Sequence, residues 1–192
     1  TLSSSSAASD VYKRQLSGDV KHAGVYELEI GSGTLEELIN EFGGGTLNGR
    51  PIKAVQPGGG TSAFLGRAYL GCKLTAKAIR QAGSEMGTAG VIVYEEGKTA
   101  VDIVRGLLEF YADESCGRCA PCRIGVVRCK EIVQRLSEGK GVARDLERLR
   151  EICKACISAS TCGMGQAFPL PVLSALELFP EDFEAVIDKV SA

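Results

Sequence analysis

Histidine occurs once in this chain, at His22. That scarcity removes Ser/His/Asp and Cys/His sets of the kind used for nucleophilic catalysis. No carboxylate pair stands out for hydrolytic work either. His22 lies in "VKHAGV", which reads as a solvated hairpin turn rather than a ligand or base. Long apolar runs are also missing: none approaches the roughly 20 residues that cross a bilayer, so no direct membrane insertion is expected. The sequence opens without the charged-then-apolar layout of a signal peptide. Positive charge is not in excess, and a formal net charge of −2 gives no field to gather nucleic acid or anionic membrane. "PGGG" at Pro57–Gly60 lacks a Lys-Ser/Thr and opens no GxGxxG, so it reads as turn glycine rather than a phosphate cradle. These absences predict a cytoplasmic protein, or one on the cytoplasmic face of a complex, with no nucleic-acid partner.

What is present is cysteine. There are eight, and seven fall between Cys116 and Cys162. A disulfide framework would staple the whole chain, whereas clustering with two-residue gaps points to metal. The 192 residues are 44% hydrophobic and 24% charged, enough for one large domain or two modest ones.

The chain divides by pattern. Residues 1–15, "TLSSSSAASDVYKRQ", have low complexity and read as disordered or non-native junction sequence, "DVYKRQ" resembling translated library adaptor. On that reading the natural protein is longer at its N-terminus. Residues 16–98 read as a small α+β domain. Val20, Val25, Leu28 and Ile30 flank a turn at His22-Ala23-Gly24, a two-stranded hairpin. Thr34 with Glu37 three residues on forms a capping box. It opens a helix whose face is Leu35, Leu38, Ile39 and Phe42, ended by Gly43–Gly45. Strands follow at Ile52–Val55 and Val91–Tyr94. A sheet wrapped on one helix is the β-grasp arrangement.

Residues 99–192 read as all-helical, a bundle of four. Val101, Val104, Leu107, Leu108 and Tyr111 mark the first helix. The second runs to Gly139 and Gly141. The third places Leu146, Leu149, Ile152 and Cys153 inward, its Glu/Lys/Arg runs being the solvated face. The fourth is broken or bent at Pro180.

"ESCGRCAPCRIG" spaces Cys116, Cys119 and Cys122 as Cys-x2-Cys-x2-Cys, with which one loop contacts three corners of a cubane. Bacterial ferredoxins continue x3-Cys-Pro; here Arg123, Ile124 and Gly125 follow. The natural fourth ligand is Cys162 in "STCGMGQ", where Gly163 and Gly165 let backbone N–H groups approach sulfur. Arg118 and Arg123 would offset negative cluster charge. Cys72 and Cys129 read as small buried hydrophobes. The rival is zinc on Cys119, Cys122, Cys153 and Cys156. Its pairs are 30 residues apart, beyond the usual spacing of about 15–20, and Cys116 and Cys162 would be idle. A structural zinc-binding interaction module and a free-standing ferredoxin-like carrier remain as alternatives.

The same residues resemble a known family. "ESCGRCAPCRIG" and "STCGMGQAFPLPVLSAL" look like the flavoprotein subunit of NADH:quinone oxidoreductase (respiratory complex I). They also resemble the NAD-linked subunits of hydrogenases and formate dehydrogenases. "SGDVKHAGVYELEIGSGTLEELI" resembles that subunit's soluble-ligand-binding β-grasp (SLBB) domain. The resemblance spans about Leu16 to Asp188, the C-terminal part of the subunit, and "CGMGQ" leans to the hydrogenase and formate-dehydrogenase branch. It implies that Cys116, Cys119, Cys122 and Cys162 ligate one [4Fe–4S] cluster, relaying single electrons from reduced FMN to partner-subunit clusters. The implied partners are other subunits of a multi-subunit NADH dehydrogenase, hydrogenase or formate dehydrogenase, especially a ferredoxin-like or thioredoxin-like iron–sulfur subunit. The family's "GRGGAGF" type motif, which opens its FMN and NADH site, has no counterpart here. The chain alone is therefore expected not to oxidise NADH.

Overall fold

The computed structural model describes residues 11–29 and 31–187. Two compact units divide it, Thr1–Gly97 and Lys98–Ala192.

The first unit is a five-stranded mixed sheet in the order β2-β1-β5-β3-β4. Its strands are β1 (Val11–Gly18), β2 (Gly24–Glu29), β3 (Ile52–Gln56), β4 (Leu65–Gly66) and β5 (Gly90–Glu95). β1 pairs antiparallel with β2 and parallel with β5, Leu16 lying opposite Gly24 on one side and Val91 on the other. β3 pairs antiparallel with both β5 and β4.

The start of the fold corrects the sequence reading. Residues 11–15, expected in an N-terminal junction, form the first part of β1. Their pattern is not apolar, because the strand is held by partners distant in sequence. The buried Arg14 guanidinium donates to Leu74 O at 2.7 Å. Residues 1–10 and Ile30 lie outside the described residues.

The capping box forms as expected. Thr34 N donates to Glu37 Oε2 at 2.8 Å, and Glu37 N donates to Thr34 Oγ1 at 3.2 Å. It opens α1 (Leu35–Glu37), which widens at once into a π-helical turn, Leu38–Phe42. Leu35, Leu38 and Ile39 are fully buried against Leu16, Val55, Val91 and Val93. Each such side chain stabilises the fold by about 1.5–3 kcal/mol. Phe42 differs from expectation and is 39% exposed. The wide turn, in which Gly43 N donates to Leu38 O, rotates it off the inner face. Phe42 instead meets the Tyr26 ring edge-on at 5.6 Å. β4 and the short helix α2 (Ala76–Gln81) add to the elements expected from pattern.

The second unit is helical. α3 (Ala100–Glu114), α4 (Ala120–Ser137) and α5 (Ala143–Ala159) are long, and short links fold each back on the last. The fourth position is filled by three short pieces, α6 (Gly163–Ala167), α7 (Pro169–Leu178) and α8 (Pro180–Glu184). The break at Pro180 is where the sequence places it. Thr99 caps α3 by accepting from Asp102 N at 3.1 Å. Leu108, Tyr111, Val126, Val133, Leu149, Phe168, Val172 and Phe183 make the core. The Tyr111 and Phe168 rings, 6.0 Å apart, join α3 to α7.

Candidate metal centre

The cysteine loop connects α3 to α4. Ser115 leaves α3 in an extended conformation, and Cys119, also extended, is the last residue before α4. Pro121 occupies the first turn, where a missing N–H is harmless. Cys122 sits in that same turn. Cys162 takes the corresponding place before α6. Three of the four predicted ligands thus stand at helix starts, where unpaired N–H groups favour negative charge.

One cavity of 310 Å³ gathers all four: Cys116, Cys119, Cys122 and Cys162 line it with Ser115, Arg118, Thr161 and Met164. Cys122 is buried, Cys119 half-buried, and Cys116 and Cys162 exposed. Thr161, through its hydroxyl and its backbone, leads the groups that lower the Cys119 thiol to about 7, with the Cys122 N–H and Ser160 adding to it. That lowering favours the thiolate, the form that binds metal. Ser115 Oγ is 3.4 Å from Cys122 Sγ, which lies 3.8 Å from Met164 Sδ. Arg118 lines the cavity, whereas Arg123 turns aside and donates to Gly117 O at 3.0 Å.

The remaining cysteines of this unit differ in kind. Cys129, Cys153 and Cys156 are buried and do not line the cavity. Cys156 Sγ donates to Pro121 O at 3.2 Å. Gly125 lets α4 and α5 approach there, since a Cβ on it would stand 2.3 Å from Cys156 Sγ. Burial, with the neighbouring cysteines, pushes the Cys156 thiol up to about 11. The hydrogen bond with Cys153, together with burial, pushes Cys129 up as well. All three are buried packing groups. Cys72, in the first unit, is half-buried against that unit's core.

Sequence reasoning finds the cysteines but misses their hydroxyl neighbours Ser115, Ser160 and Thr161. For Ser115 and Thr161 the signal is present as a serine or threonine directly before a cysteine, in "ESC" and "STC". Among the described residues, no three of His, Cys, Asp and Glu converge as ligands of a single ion. Four thiolates on one zinc, with bonds of ~2.3 Å, would lie roughly 3.8 Å from one another. In a cluster each thiolate instead binds a different iron.

Residues 102–186 match the NADH-ubiquinone oxidoreductase-F iron–sulfur binding region, and residues 14–63 match the SLBB domain. The chain is 36% identical over 173 residues to the HndC subunit of the NADP-reducing hydrogenase of Solidesulfovibrio fructosivorans. It is 38% identical over 172 residues to the F-type subunit of the NADH-quinone oxidoreductase of Escherichia coli K12. These alignments cover 90% and 89% of this chain but only 35% and 38% of the relatives. A crystal structure of an NAD+-reducing [NiFe]-hydrogenase in the H2-reduced state superposes with a TM-score of 0.81 at 28% identity. It covers 93% of this chain and 30% of that one. The chain is therefore similar, in tandem, to an SLBB domain and to the iron–sulfur binding region of the NADH-ubiquinone oxidoreductase-F type.

Proposed function

We propose that this chain is the electron-relay portion of an NADH dehydrogenase-type flavoprotein subunit. In this reading Cys116, Cys119, Cys122 and Cys162 hold one [4Fe–4S] cluster. The observation that carries it is the cavity that brings three cysteines of one loop together with a fourth from beyond α5. When bound, such a cluster accepts and releases one electron at a time. The protein's own residues do the rest. Thr161 and the Cys122 N–H hold Cys119 ready as thiolate. Arg118 offsets negative charge, favouring the reduced state.

Hydride chemistry is assigned to residues outside this chain, since its sequence holds no nucleotide-binding glycine motif. FMN and NADH would bind there. The partners would be other subunits of a multi-subunit NADH dehydrogenase or hydrogenase, among them an iron–sulfur subunit that takes the electron onward. No helix among the described residues is long and apolar enough to cross a membrane, and we place the relay on the cytoplasmic side.

Anaerobic purification with iron and sulfide counting, and EPR after dithionite reduction, tests the reading. About four irons and four sulfides per chain are expected, with a reduced-cluster signal. Cys162→Ala should lose the four-iron cluster, while Cys72→Ala, Cys129→Ala and Cys156→Ala keep it. One zinc with no sulfide, or a Cys162→Ala protein with full iron, would overturn it.

A further inference from the structure

Ser115 follows α3 and opens the cysteine loop, and Cys122 closes that loop in the first turn of α4. The two side chains meet across its base: Ser115 Oγ lies 3.4 Å from Cys122 Sγ, within hydrogen-bond reach for sulfur. Both line the cavity that gathers Cys116, Cys119 and Cys162. Other serines of this unit bond back to their own helix. Ser137 Oγ donates to Gln134 O at 2.8 Å, Ser158 Oγ to Lys154 O at 3.1 Å and Ser174 Oγ to Pro171 O at 3.2 Å. Ser115 instead reaches 7 residues forward, to a thiol.

The state of the sulfur decides which way this bond runs. Between a hydroxyl and a neutral thiol, either group can donate. A thiolate that ligates metal has lost its proton, so only Ser115 can donate to it. Met164, whose Sδ is 3.8 Å from Cys122 Sγ, carries no proton to compete. Burial adds weight. Cys122 is buried, whereas Cys116 and Cys162 are exposed. A donor on the buried sulfur acts where water does not replace it, and where a lower local dielectric strengthens the bond.

We infer that the Ser115 hydroxyl donates a hydrogen bond to Cys122 sulfur when that sulfur ligates the cluster, and that this bond raises the cluster's reduction potential. The inference rests on the ligand assignment proposed above. The reduced cluster carries one more negative charge, so a donor at a ligand sulfur stabilises it more than the oxidised form. Ser115 is then a tuning residue rather than a ligand. Its loss should move the potential and leave the iron in place.

The experiment is a redox titration of the reconstituted full chain, followed by EPR, with iron and sulfide counted in each sample. Ser115→Ala should keep the four-iron cluster and shift the midpoint potential to more negative values. Ser115→Thr, which keeps the hydroxyl, should return it toward wild type, and Ser158→Ala should not move it. An unchanged potential in a fully loaded Ser115→Ala protein overturns the inference. So does a folded Ser115→Ala protein that cannot hold the cluster, because the serine would then build the site rather than tune it. If circular dichroism shows Ser115→Ala unfolded, Ser115→Thr and Ser115→Val decide, since they share a shape and differ in the hydroxyl. A lower potential in the Val variant supports the bond, and equal potentials overturn it. Zinc without sulfide in the wild-type chain, or a four-iron cluster retained in Cys122→Ala, would instead overturn the ligand assignment. The metal counts separate that failure from the others.

Discussion

The two units differ in what their polar groups gather around. In the sheet unit many buried polar groups close on one another. Gln56 Nε2 donates to Gly60 O and Ser62 O at 2.9 and 2.8 Å, and its Oε1 accepts from Tyr94 OH at 2.8 Å. Asp19 accepts from Glu95 N at 3.1 Å, Glu95 takes both Asn48 N and Asn48 Nδ2, and Ser84 donates to Ala63 O at 2.6 Å. In the helical unit the Ser160 hydroxyl has no such partner, and the thiols beside it face a common cavity. A unit whose hydrogen bonds close internally is specified by its own chain. One whose donors and thiols converge is specified jointly with what it binds.

That contrast can be broken most directly by cluster loading. Hydrogen exchange on the full chain, with and without reconstituted cluster, should slow by orders of magnitude over residues 115–123 and 160–166. Exchange in β1, β3 and β5 should stay the same, because a ligand stabilises only the structure that binds it. Equal slowing in both units would dissolve the distinction. The sheet unit should respond instead to its own backbone. Gly18 has φ +88°, and a Cβ there would stand 2.2 Å from Val93 O across the β1–β5 pairing. Gly18→Ala should destabilise this unit by about 3 kcal/mol or more, read from chemical denaturation, and leave iron content in the surviving folded protein unchanged.

How much of this is legible in the sequence depends on distance along the chain. The capping box of Thr34 and Glu37, the cysteine spacing and the break at Pro180 are local, and each can be read directly. Cys162 can be paired with the loop because chemistry demands a fourth thiolate. Residues 11–15 mislead because Tyr12 to Leu16 owe their strand to Gly24–Leu28 and to β5, not to their own pattern. Phe42 misleads because a π-helical turn breaks the 3.6-residue period that would put it inside. Ser160 is invisible because nothing in the letters distinguishes a serine that bonds back to its helix from one that does not. Asp145 hides in a run of charges that reads as solvated face.

Asp145 also provides the smallest test, since there the helical unit behaves like the sheet. Its side chain is fully buried at the start of α5. Its carboxylate accepts Val142 N at 3.0 Å and takes Arg135 on both oxygens, Nε at 3.2 Å and NH2 at 2.5 Å. Burial pushes the carboxyl up, but the Arg135 hydrogen bonds, the Val142 N–H and the nearby positive charges outweigh it and hold it below its ordinary 3.8. A carboxyl depressed by folding contributes its full stability above the unfolded value and loses it as pH falls through the folded one. The Arg135 side chain is 40% exposed, so solvent screens the pair, and Asp145→Asn should cost about 2 kcal/mol at neutral pH rather than the 3–5 of a fully buried pair. Helical circular dichroism of the full chain should then show wild-type stability declining as pH drops below about 4. The Asn variant should start lower and decline less over the same range. Parallel acid profiles would mean that Asp145 adds nothing beyond its cap, leaving the helical unit dependent on apolar packing and the metal centre alone.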